Sequence, residues 1–539
     1  MTEPGSREAR RLALRREREL RRRAALRDSR RAHFVRAAMI GLLSGAVALA
    51  FQWSLFQVEQ ARTLALERLH DYPSWGWLVL PGVGAILGAI GGWLTTRYAP
   101  EAAGSGIPHV KAVLHHLRPM RWQRVLGVKF VAGLASLGAG LSLGREGPTV
   151  QMGAAVADAV NKLLKVPRRS RSQLIACGAG AGLASAFNAP LAGFIFVIEE
   201  LQRELSPWTY GAALVATVCA DIVTRSFTGQ MPSFHFTGYE TPPLTALPLF
   251  VVLGVMAGGA GVLFNRGLLG TVQWFQKPRR FPMWAWPAVV GMIAGLVAWW
   301  MPEVVGGGHY TAERILRGFH AAPELLGFVA LMFAAKFVMT MISYGSGAPG
   351  GIFAPLLVLG ALLGLFAGMV GGSFFPDLAR TPAAFAVVGM AAMFAAVVRA
   401  PLTGIVLILE MTGNYEQLFP LAVACLMAYI TAEHFRDKPI YEALLDQDLR
   451  RKGIHPVEES EPVLVDLVVE PESPMAHKKV RDLRLPPGCL LVTVRRAGRD
   501  MVPGGETRLS IGDQLTVIVS GDVAHIVAEI TGAAASSND

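Results

Sequence analysis

The sequence predicts an all-α polytopic membrane protein built from broken helices, followed by a small α/β module. Three observations carry that prediction. The 539 residues are 52% hydrophobic and only 17% charged, with a mean hydropathy of +0.40; soluble chains do not have this composition. Apolar runs fill the region from about residue 35 to 435, and Gly or Pro interrupts many of them. After Tyr441 the pattern changes to a polar stretch and then short β-rich runs.

Residues 1–34 form a basic segment, rich in arginine (Arg15, Arg16, Arg21, Arg22, Arg23), and supply much of the net charge of +11. Such a segment suits a solvated helix beside anionic lipid better than a nucleic-acid arm. The positive-inside rule puts it in the cytoplasm. The first apolar run lacks the small-residue cleavage pattern of a secretory signal. Cys177, Cys219, Cys425 and Cys489 have no metal-ligand spacing and read as small buried residues.

Apolar runs fall at about 35–58, 75–97, 124–143, 148–164, 173–201, 209–227, 246–273, 285–301, 324–343, 351–373, 383–398, 402–413 and 416–435. Many are shorter than the ~20 residues that span a bilayer. Breaks occur at Gly104–Pro108, Gly144–Pro148, Asn188–Gly193, Gly345–Pro355 and Arg399–Gly404. Non-helical backbone at membrane depth is tolerated only inside protein or beside a cavity. Breaks at matching places in two halves point to a transporter's binding site.

The halves do match. Asn188-Ala189-Pro190-Leu191-Ala192-Gly193 recurs as Arg399-Ala400-Pro401-Leu402-Thr403-Gly404, a shift of 400 − 189 = 211. Glu199 and Glu410 keep that shift, 410 − 199 = 211. Upstream, Gly144–Pro148 aligns with Gly351-Ile352-Phe353-Ala354-Pro355, with 351 − 144 = 207. Three matches in order indicate an internal repeat. Glu146 then faces Phe353, and Glu200 faces Met411. Glu199 and Glu410 read as a shared structural carboxylate at a helix end, and Glu200 as an addition in one half.

Gly144-Arg145-Glu146-Gly147-Pro148 sets two opposite charges inside an apolar region. Ionisable residues there mark function by default. Pro148 suits a first helical turn, so Glu146 sits at the positive end of a helix. That end attracts anions. A carboxylate there occupies an anion site when charged and leaves it when protonated; alternatively, Arg145 and Glu146 neutralise each other as a structural ion pair. Gly104-Ser105-Gly106-Ile107-Pro108 is a second break, in which Ser105 offers a hydroxyl donor or the motif serves as a packing kink. Gly351–Pro355 carries no charge, so an anion contact there would come from the backbone N–H groups of Ile352 and Phe353. Tyr441 offers a phenol donor from the cytoplasmic side, or belongs to an interfacial belt. Lys129 is a counter-charge, a snorkelling lysine or a source of positive potential along an anion path. Glu199-Glu200 taken alone also suit a solvated boundary pair. Ser105 and His109 have no partner for a serine-protease dyad, His115-His116 have no further metal ligands, and no potassium-filter signature occurs.

Residues 35–445 make the membrane domain, 446–462 a polar linker, and 463–539 a soluble module. Val463–Val469, Cys489–Arg495 and Gln514–Ser520 read as strands and Val523–Ile530 as a short helix. Pro486-Pro487-Gly488 and Gly504-Gly505 supply turns.

These motifs in this order resemble the CLC family of chloride channels and proton-coupled chloride transporters. The matching residues are Gly104–Pro108, Gly144–Pro148, Phe187–Gly193, Glu199-Glu200, Gly350–Pro355 and Tyr441. The resemblance implies a homodimer with one anion pathway per subunit, each an inverted repeat of tilted and broken helices. It implies that Ser105 and Tyr441 give hydroxyls, and Ile352 and Phe353 amides, to a chloride site; Arg145 and Gly147 flank the gate and go with the chloride-binding set. Glu146 would be the external gate and proton carrier, and Glu200 the internal proton-transfer residue. Serine rather than proline at 105 implies chloride preference over nitrate. The implied protein is a Cl⁻/H⁺ antiporter of the cell (inner) membrane with both termini cytoplasmic; the alternative is a passive chloride channel gated by Glu146. Chloride is the substrate, with no cofactor, metal, nucleic acid or enzymatic reaction. A ligand sensor that uses the membrane part as an anchor is a third reading, against which the full set of anion motifs argues.

The tail resembles the C-terminal half of the regulator-of-potassium-conductance module, also called TrkA-C, through Ser473-Pro474, Val480–Leu483 and Leu509–Leu515. That implies a cytoplasmic sensor which pairs with its dimer mate and binds a small ligand. The usual glycine before the motif's first lysine is His477 here, a departure at the expected ligand contacts.

Overall fold

The computed structural model describes residues 4–203, 207–230, 234, 242–277, 281–317, 323–379, 381–453, 463–483, 485–520 and 530; side chains are described from residue 31 on, apart from Arg169, Pro207, Trp208, Pro323 and Val463. Two compact units divide the chain, Met1–Leu445 and Asp446–Asp539.

The first unit is helical. Helix α1 (Pro4–His70) runs without a break through the boundary that charge suggests at residue 34. Arg, Ala and Leu all favour helix, so a change from basic to apolar need not interrupt the backbone. The first half continues with α2 (Gly76–Tyr98), α3 (Ile107–Leu114), α4 (Trp122–Gly138), α5 (Glu146–Leu163), α6 (Arg168–Phe187), α7 (Pro190–Phe196) and α8 (Pro207–Thr228). After α9 (Leu247–Gln276) the second half repeats the series: α10 (Trp286–Trp300), α11 (His309–Leu316), α12 (Leu326–Gly345), α13 (Phe353–Phe374), α14 (Pro382–Val398), α15 (Pro401–Thr412) and α16 (Leu418–His434). Helix α17 (Ile440–Arg451) ends it. Among the described residues, eight helical segments are long and apolar enough to cross a membrane.

The repeat is visible in the breaks. Asn188 leaves α6 in the left-handed region at φ 53°, and Arg399 leaves α14 at φ 67°. Each places a Pro at the start of the next helix, where its missing N–H costs no hydrogen bond. Arg399 is held in that conformation by Glu433 (3.1 Å) and the Asp437 carbonyl (3.2 Å). Packing repeats too: α5 lies on α6 as α13 lies on α14. At those two crossings Gly153 meets Gly178 and Gly360 meets Gly389, and a Cβ on any of the four would collide with the facing backbone. Close crossings of this kind hold membrane helices together through dispersion.

Cys177 and Cys425 are buried as the sequence suggests, but Cys219 and Cys489 are only half-buried. Cys219 lies next to the exposed Val218 on α8, at the edge of that helix's packed face.

The second unit holds an antiparallel sheet of order β1-β4-β2-β3: β1 (Val463–Val468), β2 (Cys489–Arg496), β3 (Arg499–Met501) and β4 (Gln514–Val519). Strand β3 was not expected. It returns from β2 through Ala497-Gly498, both at positive φ (46° and 76°), the backbone of a tight hairpin turn. Leu467, Val494, Leu509, Leu515, Val517 and Val519 form the core. The helix expected at 523–530 falls, apart from Ile530, outside the described residues.

Candidate anion and proton site

The two halves meet at Gly144 and Gly351. Gly144 N–H donates to the Gly351 carbonyl (2.6 Å) and Gly351 N–H to the Gly144 carbonyl (2.8 Å), so the segments run antiparallel across the junction. Two residues beyond each glycine a helix begins: Glu146 opens α5 and Phe353 opens α13. Two helix N-termini thus converge on one point, and their first-turn N–H groups have no intrahelical acceptor.

Glu146 is buried. Its carboxylate lies against Gly144, where a Cβ would strike Oε2. The backbone N–H groups of Glu146 itself and of Ala354 face it. Arg145 is half-buried and turns elsewhere, donating to the Ala186 carbonyl (3.3 Å). No direct ion pair joins Arg145 to Glu146 among the described residues, although the Arg145 charge still acts on the Glu146 carboxylate.

Ser105 and Tyr441 are both fully buried. The two hydroxyls face each other at close range, yet among the described residues neither meets a partner with good hydrogen-bond geometry. Buried polar groups without partners are rare enough to call for one. Tyr441, from the first turn of α17, is also within electrostatic reach of both Glu146 and Glu200. It is a core residue and not an interfacial one. Ser105 sits in a loop that the glycines shape: Gly104 and Gly106 adopt φ 61° and 87°. Gly147 lets that loop approach α5; a Cβ there would lie 2.6 Å from Ser105 Oγ. Ile352 and Phe353 are fully buried, and the Phe353 ring packs between Phe187 (5.1 Å) and Phe394 (4.3 Å). Ser105, Gly147 and the start of α13 therefore surround one place, with hydroxyls and amides as donors. Such a donor set suits a small anion.

Two lysines hold the loops. Lys129, on α4, donates to the carbonyls of Ala102 (2.9 Å) and Gly104 (2.6 Å), the strand of backbone that carries Ser105. Its amine is fully buried and structural, not snorkelling. Lys336, on α12, does the same for Val304 (2.9 Å) and Gly306 (2.7 Å). The sequence held the signal for this pair: Lys129-Phe130-Val131 recurs as Lys336-Phe337-Val338, with 336 − 129 = 207.

The two adjacent carboxylates diverge. Both lie in a π-helical turn, Val197–Gln202, a form found often at functional sites. Glu199 is half-buried and accepts from the N–H groups of Leu402 (3.1 Å) and Thr403 (2.7 Å), at the start of α15. Glu410 accepts from Leu191 (3.0 Å) and Ala192 (2.8 Å), at the start of α7. Each thus caps the first turn of the other half's helix rather than its own helix end. Glu200 is buried and pairs with Lys111 of α3 at 2.8 Å. No sequence pattern announced Lys111; its place is set by where α3 packs. His109, on the same helix, contacts Gln151 at 3.1 Å.

Residues 85–433 match the family described as voltage gated chloride channel. The chain belongs to that family. Residues 464–532 match the TrkA-C domain. There His477 takes φ 61°, the left-handed conformation that favours glycine. The H(+)/Cl(-) exchange transporter ClcA of Vibrio cholerae serotype O1 is 41% identical over 424 residues, covering 77% of this chain and 89% of the relative. ClcA of Yersinia pestis is 39% identical over 427 residues, covering 78% and 88%. A slow cyanobacterial Cl⁻/H⁺ antiporter of known structure has a TM-score of 0.74 at 36% identity, over 78% of this chain and 99% of that one. A CLC-type fluoride/proton antiporter shares the fold, with a TM-score of 0.64 at 22% identity over 76% and 97% of the two chains.

Proposed function

We propose that this protein is a chloride/proton antiporter in which Glu146 is the gate. Charged, its carboxylate occupies the anion position between the starts of α5 and α13. Protonated, it loses its attraction for the two helix N-termini and gives way to chloride, which the Ser105 and Tyr441 hydroxyls and the Ile352 and Phe353 amides then hold. Gly147 allows the close approach this needs, and Arg145 adds positive potential beside the path. Glu200 exchanges protons with the cytoplasm by a separate route, with Tyr441 between the two carboxylates. Chloride is cargo, and the transport cycle makes no use of a cofactor.

The observation that carries exchange rather than passive conduction is Glu200. It is a buried carboxylate with no counterpart in the other half, where Met411 stands. The relatives named as H⁺/Cl⁻ exchangers support the same reading. The protein works as a homodimer in the cell membrane with its arginine-rich N-terminus and its TrkA-C module in the cytoplasm, and the module senses a small ligand. The charge bias of residues 1–34 supports that orientation.

Liposomes containing the full-length protein provide the test. A chloride gradient drives proton movement against the proton gradient. Chloride flux with no proton movement would identify a passive channel instead.

A further inference from the structure

Glu200 does not stand alone at the inner end of its route. Lys111 Nζ lies 2.8 Å from Glu200 Oε1 and 3.6 Å from Glu442 Oε1. Glu442 in turn pairs with Arg203. Exposure rises along this chain of charges: the side chains are 1% exposed at Glu200, 4% at Lys111, 31% at Glu442 and 49% at Arg203. Arg203 also lines an open cavity of about 520 Å³ together with Glu199, Arg399 and Glu433. Three ion pairs in series, alternating in sign, therefore lead from a buried carboxylate to an open surface.

We infer that the Glu200–Lys111–Glu442–Arg203 chain forms the inner proton-access relay, in which only the two carboxylates hand on protons, Arg203 holds Glu442 at the mouth, and Lys111 is a positioning residue that sets the pH range of proton coupling. The inference deepens the antiporter reading and rests on it. A buried carboxylate with one partner depends on that partner to stay charged. Among the described residues Glu200 Oε2 has no hydrogen-bond partner, and Lys111 on Oε1 is the one counter-charge in direct contact. Glu442 draws Lys111 the other way and repels Glu200, so it opposes the effect of Lys111. Arg203, Glu442 and Lys111 act on Glu200 across the turn. Tyr441 faces it from α17, and His115, at the end of α3, acts on Lys111, Arg203 and Glu442. Helix α7 brings no ionisable side chain, and α6 brings none after Cys177. Lys111 belongs to the same helix whose leading loop carries Ser105, so α3 joins the anion position to the proton route within two turns.

The test measures chloride-driven proton flux by the full-length protein in liposomes over a pH series, for wild type, Lys111→Met, Lys111→Arg and Glu442→Gln. Losing an opposite charge within hydrogen-bond distance moves a carboxylate's titration by about 1–3 pH units. The Lys111→Met profile is expected to move to higher pH by about 1 unit or more. Lys111→Arg restores the wild-type profile, and Glu442→Gln moves it to lower pH. A merely structural role for Lys111 does not produce shifts of opposite sign from the two partners. An unchanged Lys111→Met profile, or shifts of the same sign in Lys111→Met and Glu442→Gln, overturns the relay. If Lys111→Met fails to fold, Lys111→Arg and Glu442→Gln decide: a Glu442→Gln profile that stays in place or moves to higher pH overturns it. Wild-type protein that moves no protons instead overturns the antiporter reading beneath it.

Discussion

Glu199 and Glu410 hold each other's repeats: each carboxylate accepts two backbone N–H bonds from the first turn of the helix that follows the other half's break. A carboxylate at a helix N-terminus meets otherwise unsatisfied N–H groups and the positive end of the helix dipole. Here that local rule becomes a tie between halves. It explains why the carboxylate recurs at the same shift as the Ala-Pro-Leu motif: the two must be the same distance apart in both halves to reach across.

Glu410→Ala removes two charge-assisted bonds and is expected to cost about 2–4 kcal/mol, since a hydrogen bond to a charged group contributes a net ~1.5–3 kcal/mol and these two are only partly shielded from solvent. Glu199→Ala costs a similar amount, with one further bond lost from the Thr403 hydroxyl (2.7 Å). Thermal unfolding in detergent measures both. Equal stability of Glu410→Ala and wild type would refute the mutual cap.

Glu146→Ala removes the gating carboxylate from between the two helix starts. Chloride flux is expected to persist with proton coupling lost. Glu200→Gln keeps the gate but removes the inner proton station, so it too uncouples. Paired chloride and proton electrodes on liposomes read both outcomes, and full coupling in either variant contradicts the assigned role.

Gly147→Ala places a methyl 2.6 Å from Ser105 Oγ and 2.7 Å from the Ser105 carbonyl. The loop must shift, and chloride affinity is expected to fall about tenfold or more, a loss of ~1.4 kcal/mol. Gly127→Ala is the control: nothing lies within 4 Å of a Cβ there, and alanine favours helix α4. Isothermal titration with chloride compares the two.

Lys129→Met leaves the Ala102 and Gly104 carbonyls without their buried donor, at about 1–3 kcal/mol each. Lys336→Met does the same to Val304 and Gly306. Both variants lose stability. Chloride affinity falls in Lys129→Met, because its loop carries Ser105; the loop that Lys336 holds carries none of the four donors assigned to the anion. Similar affinity losses in both would refute the division.

In the TrkA-C module, Arg496 grips Asp513 through Nε (2.8 Å) and Nη2 (2.6 Å), and Ser510 N–H adds a third bond at 2.8 Å. The guanidinium beside it holds the Asp513 carboxyl below the usual carboxylate range. The folded value is lower than the unfolded value of ~3.9, so the stabilisation is complete above that pH and fades as pH falls through the depressed value. The protection factor of β4 in the full-length protein, the intrinsic exchange rate over the observed rate at the same pH, is expected to fall on acidification below about pH 4. Asp513→Asn is expected to exchange faster than wild type at neutral pH and to gain less from pH; identical profiles would remove the role of the pair.

Much of the architecture was legible in order along the chain. Apolar runs mark helices because only a helix satisfies its own backbone in an apolar setting. Gly and Pro mark the breaks, and the two shifts, 211 and 207, marked the repeat. Glu146, Ser105, Ile352, Phe353 and Tyr441 stood out as polar groups or exposed amides in apolar surroundings. The Lys129–Lys336 equivalence was also readable, through a three-residue match. Strand β3 was harder to see, because three exposed residues carry no hydrophobic alternation.

By itself the sequence determined the helices, their interruptions and the pairing of Glu146 with Phe353 as matching helix starts. Only the tertiary structure decided what meets what. It turned Glu199 and Glu410 toward each other's helices, brought the Ser105 and Tyr441 hydroxyls face to face, and set Lys111 against Glu200. Lys111 and Glu200 are 89 residues apart. The physical reason is range. Helix starts and breaks follow from backbone chemistry within a few residues, whereas a buried charge finds its partner through the packing of distant helices.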